Sequence, residues 1–253
     1  MEKRHHVVVL GGGFGGLRAV HTLARAPVDI TLIDRRNFHL FQPLLYQVAT
    51  GGLSPANICA PLRGALRKQK NARVLLAEAK DVDVAGRRVL LEDGEVTYDT
   101  LIVATGSGHS YFGHDDWARF APALKTIEDA TEIRRRILLA FEAAERETDP
   151  AKEEARLTFV IVGAGATGVE LAGALSEIAH DTLRQDFRRI DPSHSRILLV
   201  EASERVLPSY PADLSERAAE ALRRLKVTIR TSTMVTDVGE GCVTLKMDSG
   251  TEK

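Results

Sequence analysis

Apolar residues occur along the chain in short runs, and stretches with a helical spacing of apolar positions follow two of them. The run at residues 7–10 leads into the glycine cluster "GGGFGG" and then into "LRAVHTLARA". The same order returns where the run at residues 159–162 leads into "GAGATG" and a second helical stretch. Short apolar runs predict buried strands, and helices that alternate with such strands are typical of parallel sheets. The pattern therefore predicts an α/β fold with two parallel sheets.

Further strands are predicted between and after these two units. The stretches "ARVLLAEAKDVDV", "RRVLLE" and "EVTYDTLIVA" indicate strands, with a turn at Asp93 and Gly94. They predict a small β-meander, and strands near residues 236–238 and 243–247 predict a second one. Each sheet is thus expected to carry a meander, in domains that span residues 1–115 and 116–253.

The helical patterns outside the glycine motifs set the remaining expectations. Residues 126–147 show one apolar stripe, and Thr126 and Asp129 stand at the spacing of a capping box. The polar stretch at residues 147–156 is expected to be a linker. The stretch "SEIAHDTLRQDFRRIDPSHS" is interpreted as an extension of the preceding helix that ends near Asp191 and Pro192.

Composition excludes several classes of protein. Apolar residues make up 44% of the chain and charged residues 27%, and the net charge is −1, which argues against a disordered or nucleic-acid-binding chain. The cysteines, Cys59 and Cys242, lie far apart and show no CxxC spacing, which argues against a structural metal or a disulfide framework. No apolar run approaches the ~18 residues of a membrane span. We expect a cytoplasmic protein, with peripheral membrane contact left open.

The first glycine motif has the spacing of a dinucleotide-binding turn. Gly11, Gly13 and Gly16 fall on the positions of GxGxxG between a strand and a helix. The first glycine permits the turn, the second lets a diphosphate approach, and the third lets the helix pack on the strand. The next strand, "DITLID", ends in Asp34, 18 residues beyond Gly16, where an acid accepts hydrogen bonds from a ribose. A surface aspartate after a strand is the ordinary alternative.

The second glycine motif repeats this arrangement with one difference in spacing. Gly163, Gly165 and Gly168 again follow an apolar run, and the strand "RILLVE" ends in Glu201, 33 residues beyond Gly168. A carboxylate there favours NADH over NADPH because it repels a 2′-phosphate, although Arg205 nearby leaves NADPH open. Two motifs that each retain an acid predict two bound dinucleotides, and hence two Rossmann-like domains. A purely structural repeat is the alternative.

Several stretches together resemble a known family. They are "VVVLGGGFGGLRAV", "FQPLLYQVATGGLSPA", "LIVATGSGHSYFGHDDW", "FAPALKTIEDA" and "VIVGAGATGVELAGALSEIA". The chain resembles the two-dinucleotide flavoprotein reductases, and within them the type II NADH dehydrogenases, which are NADH:quinone oxidoreductases that pump no protons. The resemblance implies FAD in the first motif, NADH as the substrate in the second, and a membrane quinone of the respiratory chain as electron acceptor.

The resemblance also implies a set of site residues. Catalytic roles fall to Glu170, Gln42 and Gln47. The implied FAD contacts are Gly11, Gly12, Gly13, Phe14, Gly15, Gly16, Asp34, Arg35, Gln42, Leu45, Ala79, Ala104, Thr105 and Gly106. The implied NADH contacts are Gly163, Gly165, Thr167, Gly168, Glu170 and Glu201.

The stretch "FHLFQPLLYQVATGG" carries no cysteine, whereas disulfide-reductase relatives hold a redox cysteine pair there. Electrons are therefore expected to pass directly from flavin to acceptor, beside an apolar wall with Gln42, Leu45 and Gln47. An ordinary helix packed on the core is the alternative, and for Glu170 the alternative role is to complement the helix dipole. Two other functions stay open: a flavin reductase for a ferredoxin or rubredoxin, and a non-catalytic nucleotide-binding redox sensor.

The resemblance finally implies that these 253 residues are the front part of a longer enzyme. Both domains are then expected to be incomplete. The family's quinone-pocket residues and its membrane-binding helices would lie in a later region. We expect a peripheral protein at the cytoplasmic face of the inner membrane when the chain is full length, and a homodimer is an open possibility.

Overall fold

The computed structural model of the protein describes residues 4–247 and 250–252. The chain divides into two compact units. The first unit comprises Met1–Phe41 and Pro55–Gly108, and the second comprises Gln42–Ser54 and His109–Lys253. The stretch at residues 42–54 thus belongs to the second unit, although it lies within the first 115 residues.

The helices lie, in chain order, at α1 (Phe14–Thr22), α2 (Leu45–Ala49), α3 (Pro55–Ile58), α4 (Leu62–Ala65), α5 (Ile127–Arg146), α6 (Pro150–Arg156), α7 (Ala166–Glu177) and α8 (Ala212–Arg224). The strands lie at β1 (His5–Leu10), β2 (Val28–Asp34), β3 (Phe38–Leu40), β4 (Cys59–Pro61), β5 (Ala72–Leu76), β6 (Ala79–Asp83), β7 (Arg88–Leu91), β8 (Glu95–Thr97), β9 (Thr100–Val103), β10 (Thr158–Val162), β11 (Arg196–Val200), β12 (Val227–Arg230), β13 (Met234–Gly239), β14 (Cys242–Met247) and β15 (Gly250–Glu252).

The first unit is built on a four-stranded parallel sheet with the order β5-β2-β1-β9. Val8 of β1 pairs with Thr31 of β2 and with Leu101 of β9. Strands covered on both faces need apolar residues at successive positions, and Val7, Val8 and Val9 are all buried. The carboxyl ends of β1 and β2 consequently meet at one edge, where the first glycine motif lies.

The second unit contains a three-stranded parallel sheet with the order β10-β11-β12. Ile197 and Leu199 of β11 are fully buried and pack with Phe141 of α5, Leu175 of α7 and Leu222 of α8. This core fixes the start of α7 next to the end of β10. The second glycine motif lies at that junction.

Both predicted meanders are confirmed as three-stranded antiparallel sheets, β6-β7-β8 and β13-β14-β15. Asp93 and Gly94 form the predicted turn, where the Leu91 N–H donates to the Gly94 carbonyl at 2.8 Å. The capping box of α5 is also present, with Thr126 and Asp129 bonded reciprocally. The predicted fold class is therefore confirmed. Within the described residues, no helix is long and apolar enough to span a bilayer.

The predicted linker at residues 147–156 is wrong, because Pro150–Arg156 forms α6. Asp149 caps this helix by accepting a hydrogen bond from the Ala151 N–H at 3.0 Å. Pro150 occupies the first turn, where its missing N–H costs nothing. The Asp-Pro pair is a helix-start signal that the polar composition concealed.

The predicted long extension of α7 is also wrong. The α-helix ends at Glu177, one π-helical turn follows at Ile178–Thr182, and Asp191 caps only a short 3₁₀ turn. The carboxylate of Glu145, on α5, accepts hydrogen bonds from the N–H groups of residues 188, 189 and 190 at 3.0–3.1 Å. These donors therefore serve a tertiary contact rather than a continuing helix.

Candidate functional site: two glycine cradles and a pocket beside α7

The first glycine motif forms the turn between β1 and α1. Gly11 has φ +99°, a conformation that residues with a side chain rarely adopt, and its N–H donates to the Ile33 carbonyl at 2.8 Å. A Cβ on Gly16 would overlap the carbonyl oxygen of Gly11. The helix therefore begins directly against the end of the strand.

The start of α1 faces open space. Gly13 is the N-cap. Because it has no side chain, the N–H groups of the first turn, which begins with Phe14 and Gly15, have no capping side chain. Nothing lies within 4 Å of the position that a Cβ on Gly13 would take. The first N–H groups of a helix carry partial positive charge, so this opening suits a phosphate group.

Asp34 holds the glycine turn from the neighbouring strand. Its Oδ2 accepts from the Gly12 N–H at 2.5 Å, and its Oδ1 accepts from the Arg36 N–H at 2.6 Å. Each carboxylate oxygen has a second lone pair, so Asp34 retains acceptor capacity for hydroxyl donors such as those of a ribose. We name this group, Gly11 to Gly16 with Asp34, the first cradle.

Two further predicted contacts lie along the chain near Asp34. Arg35 follows it directly and is exposed. The Ala77 N–H donates to the Asp34 carbonyl at 3.0 Å, and Ala79 begins β6 two residues later. The backbone at Ala79 therefore lies close in sequence to a residue bonded to Asp34.

Two aromatic residues beside the first cradle, His39 and Phe41, were missed by the sequence analysis. The ring of Phe14 is half exposed and makes edge contacts with His39 at 4.9 Å and with Phe41 at 5.4 Å between centroids. His39 also donates from Nδ1 to the Gly12 carbonyl at 3.0 Å. Their place shortly after Asp34 in a weakly charged stretch was the available signal, but only the folded chain brings them to Phe14.

The end of β9 closes the other side of the first cradle. The Ala104 N–H donates to the Leu10 carbonyl at 2.8 Å, and the Ala104 carbonyl oxygen occupies the place that a Cβ on Gly11 would need. Thr105 and Gly106 follow and are both exposed, and Gly106 has φ +76°. The predicted residues 104–106 therefore lie beside the glycine turn.

The second glycine motif has the same geometry, and we name Gly163 to Gly168 with Glu201 the second cradle. Gly163 has φ +93°, and its N–H donates to the Val200 carbonyl at 2.8 Å. A Cβ on Gly168 would overlap the Gly163 carbonyl oxygen. Gly165 is the N-cap of α7 without a side-chain cap bond, and Thr167 in the first turn is exposed.

Glu201 occupies the place in the second cradle that Asp34 occupies in the first. Its Oε2 accepts from the Ala164 N–H at 2.7 Å, and its Oε1 accepts from the Ser203 N–H at 2.8 Å. Partial burial raises the pKa of the carboxyl, but these N–H donors outweigh burial, and the resulting pKa is below the ordinary value. Glu201 is therefore an anion at neutral pH.

Arg205, the residue that left NADPH open, is engaged within its own loop. Its guanidinium donates to the carbonyls of Pro208 at 3.0 Å and Tyr210 at 3.3 Å. Both bonds come from Nη2, so the N–H groups of Nη1 and Nε remain able to donate to another acceptor.

A pocket of about 700 Å³ lies within the second unit, between α2, α7 and α8. Among the described residues, no Lys or Arg lines it. Its floor includes Val169, Leu222 and Leu225, and its polar groups come from Tyr46, Gln47, Thr50, Glu170, Glu177 and Thr182. We call it the α7 pocket. Its size is that of a small-molecule site.

The α7 pocket brings together two residues that the sequence analysis singled out, Gln47 and Glu170. Gln47 donates from Nε2 to the Tyr46 hydroxyl oxygen at 3.0 Å, which leaves its Oε1 and the Tyr46 O–H for other partners. Desolvation by neighbouring groups raises the pKa of Glu170, although its side chain remains exposed on the pocket wall. Glu170 can therefore hold a proton more readily than an ordinary glutamate. Tyr46 was missed by the sequence analysis.

Two other predicted site residues, Gln42 just before α2 and Leu45 at its start, make structural contacts. Gln42 donates from Nε2 to the Lys125 carbonyl at 3.0 Å, just before the N-cap of α5. Leu45 is only 2% exposed and packs within the second unit. Their predicted cofactor contacts stay predictions.

The sequence matches that of a family described as pyridine nucleotide-disulphide oxidoreductase over residues 5–252. It is 51% identical to the type II NADH:quinone oxidoreductase Ndh of Mycobacterium tuberculosis, over 98% of this chain and 55% of that protein. It is 33% identical to a mitochondrial external alternative NADH-ubiquinone oxidoreductase of Yarrowia lipolytica, over 96% of this chain and 44% of that protein. The chain thus spans about half the length of these relatives.

Solved structures share the fold. NDH2 from Plasmodium falciparum in complex with NADH superposes with a TM-score of 0.90 at 24% identity, over 99% of this chain and 52% of that chain. The sulfide:quinone oxidoreductase of Aquifex aeolicus gives 0.78 at 21% identity, over 98% and 56%. At these identities the likeness establishes the fold alone.

Proposed function

Because the chain belongs to the pyridine nucleotide-disulphide oxidoreductase family, we propose that it is part of an FAD-dependent enzyme that oxidises NADH and reduces a quinone. The observation that carries this proposal is the pair of cradles, each with its own carboxylate bonded to its own glycine turn. One cradle would serve a resident cofactor and the other a substrate. A single-nucleotide protein needs only one.

The first cradle fits FAD. The uncapped start of α1 would hold the diphosphate, and Asp34 would accept from the adenosine ribose with its remaining lone pairs. Phe14 and His39 would flank the nucleotide. When bound, FAD supplies the chemistry of accepting a hydride and passing on two electrons. We assign the FAD domain to residues 1–115 and the NADH domain to residues 116–253.

The second cradle fits NADH better than NADPH. Glu201 is an anion, and a 2′-phosphate placed against it would be repelled. Arg205 directs its Nη2 at two backbone carbonyls of its own loop. The name of the Mycobacterium tuberculosis relative, an NADH:quinone oxidoreductase, supports the same choice.

The quinone assignment draws on the α7 pocket and on the names of the relatives. A quinone carbonyl needs a hydrogen-bond donor and a proton when it is reduced. Tyr46 offers a hydroxyl, Gln47 orients it, and Glu170 has a raised pKa that suits a carboxyl holding a proton. Two relatives are named as quinone or ubiquinone oxidoreductases.

Membrane contact and oligomeric state complete the proposal. Quinones are lipid-soluble, so the whole protein would work as a peripheral protein at the cytoplasmic face of the inner membrane, through a region beyond these residues. We also propose that the whole protein forms a homodimer.

The test is the absorbance spectrum of the purified whole protein before and after anaerobic NADH, followed by addition of an acceptor. We expect bound flavin whose visible bands bleach with NADH and return faster with a soluble quinone than with ferredoxin or rubredoxin. Flavin that does not bleach would indicate a redox sensor. Faster return with an iron–sulfur acceptor would replace the quinone. A protein purified without flavin, and unable to take it up, would overturn the cofactor assignment.

A further inference from the structure

The first unit contains a second concave surface, which the proposed function does not use. It is a cleft of about 670 Å³ between the loop after α1 and the segment after α4. The charged and titratable residues that line it are Arg4, His21, Arg25, Lys68 and Lys70. Among the described residues, no Asp or Glu lines this cleft. We call it the basic cleft.

The basic cleft lies at the opposite edge of the sheet from the first cradle. Arg4 immediately precedes β1, Arg25 precedes β2, and Lys68 and Lys70 precede β5. These are three adjacent strands of one parallel sheet, whereas Asp34 ends β2 at the other edge. A strand of six or seven residues separates the two edges by roughly 20 Å. A ligand in the basic cleft therefore does not occupy the cofactor cradle.

The two walls of the basic cleft are tied together. Gln69 donates from Nε2 to the Val20 carbonyl at 2.8 Å, and Asn71 donates from Nδ2 to the Leu23 carbonyl at 3.1 Å. The Val20 carbonyl lies in the last turn of α1, where it has no helical partner, and the Leu23 carbonyl also accepts the Ala26 N–H at 3.0 Å. The cations are thus held around a built concavity rather than on two independent loops.

The positive charge in the basic cleft is little compensated. Asp29 lies 3.7 Å from the Arg4 guanidinium, and both side chains are more than half exposed, so the pair contributes little. Within the described part of the chain, Arg25, Lys68 and Lys70 form no ion pair. The sequence shows the same imbalance, because residues 4–77 contain ten Lys and Arg and two carboxylates, whereas the whole chain has a net charge of −1.

We propose that the basic cleft binds a phosphate group carried by a small ester or by an anionic lipid. Guanidinium groups bind phosphate oxygens in pairs and ammonium groups bind them as point charges, and the cleft presents two of each. A phosphate monoester carries up to two negative charges and three terminal oxygens, so it satisfies more of these donors than a carboxylate does. A lipid phosphodiester keeps one charge and two terminal oxygens. The volume accommodates a phosphate together with the group it is esterified to.

The test compares the parent protein with the double variant Lys68→Ala/Lys70→Ala, both saturated with FAD and NAD⁺ so that the cradles are filled. The probes are inorganic phosphate and glycerol 3-phosphate at constant ionic strength, followed by calorimetry and thermal melting against chloride. We expect binding to the parent and at least about tenfold weaker binding to the variant. The control is Arg223→Ala/Arg224→Ala on α8, which removes the same charge and leaves binding unchanged.

A second arm distinguishes the source of the phosphate. Sedimentation with vesicles of phosphatidylcholine, with and without phosphatidylglycerol, is measured for the same three proteins. Binding to the anionic vesicles that the Lys68/Lys70 variant loses identifies a lipid headgroup, and binding of the soluble probes alone identifies a free phosphate ester. The proposal is wrong if neither probe binds the parent, or if the Lys68/Lys70 variant and the α8 control bind equally well.

Discussion

The two cradles have nearly the same geometry, although they are built from different sequences. Each begins with a glycine at φ +99° or +93°, and each has a later glycine that packs on the carbonyl of the first. Each acid accepts one N–H from its glycine turn and one from a residue two positions further along its own loop. A dinucleotide turn is thus specified by backbone requirements that two stretches can meet while differing at the positions between the motif glycines.

The cradles differ in what surrounds the first glycine. The Ala104 carbonyl, at the end of β9, lies directly against Gly11. Gly163 has nothing within 4 Å of the place where a Cβ would lie, because β10 pairs only with β11 among the described strands. Gly11 is therefore required both for its φ and for its contact, whereas Gly163 is required for its φ.

The two acids differ in length, and the residues whose N–H groups they accept differ in side-chain size. A Cβ at Gly12 would lie 3.2 Å from Asp34 Oδ2 and would collide with Leu62. The shorter acid, Asp34, is therefore paired with a residue that has no side chain. The longer Glu201 reaches the N–H of Ala164, whose side chain is completely buried. Acid length and side-chain size at this position compensate for each other.

The largest effect is expected from alanine at the closely packed third glycine. Gly16→Ala and Gly168→Ala each force a methyl group into a backbone carbonyl, which we expect to destabilise the protein by about 1–3 kcal/mol or more. Gly16→Ala should lose flavin and retain nucleotide binding in the second cradle, and Gly168→Ala should do the reverse. Flavin content after gel filtration and titration with NADH measure this.

The matched control for both glycine variants is Gly64→Ala in α4, where a Cβ would meet Pro61 at an ordinary 3.7 Å. It should retain flavin and nucleotide. Loss of both ligands from both cradle variants would show that the cradles do not fold independently of each other.

Alanine at the first glycine should separate the two cradles. Positive φ alone disfavours both Gly11→Ala and Gly163→Ala by about 1–2 kcal/mol. Gly11→Ala should cost about 1–3 kcal/mol more, because the new methyl meets the Ala104 carbonyl. Urea unfolding of the two variants gives this difference, and equal free energies of unfolding would contradict the role given to Ala104.

A smaller effect is expected when each acid is replaced by its amide. Asp34→Asn should weaken flavin binding and Glu201→Gln should weaken NADH binding, each by at least about tenfold, since one charge-assisted hydrogen bond contributes about 1.5–3 kcal/mol. Glu201→Gln should also narrow the preference for NADH over NADPH, measured as the ratio of kcat/KM values. Asp34→Asn serves as the control and should leave that ratio unchanged. A parent enzyme that uses both nucleotides equally would remove Glu201 from this role.

The smallest effect is a pair of opposite pH dependences. The pKa of Glu201 is lowered on folding, so its stabilising contribution is present above the unfolded pKa of about 4.3 and is lost as pH falls through the folded value. The pKa of Glu170 is raised by burial, so its ionisation should reduce stability as pH rises from about 4.3 through the folded value.

Both pH effects are small because Glu201 is only partly buried and Glu170 is exposed. The free energy of unfolding is measured from pH 3 to pH 8 for the parent, Glu201→Gln and Glu170→Gln. The difference between each variant and the parent should change with pH, and the two differences should have slopes of opposite sign. Slopes of the same sign would mean that the N–H donors do not dominate at Glu201.

The two errors in the sequence interpretation have different physical causes. The segment after α7 has apolar spacing that allows a helix, but Glu145 on α5 takes the N–H groups of residues 188–190. The stretch at 147–156 lacks an apolar stripe, yet Asp149 and Pro150 start a helix there. Side chains distant in sequence decided the first case, and a local cap decided the second.

The sequence by itself determined the two strand–turn–helix units, both meanders and the two acids, because these follow from local apolar runs, glycine spacing and strand ends. Only the tertiary structure decided which side chains gather around them. His39 meets Phe14 through the pairing of β3 with β4, and Gln47 and Glu170 line one pocket because α2 packs on α7. The basic cleft likewise exists because β1, β2 and β5 are neighbours in one sheet. Contacts between distant segments depend on the summed packing of the whole core, which no short stretch of sequence encodes.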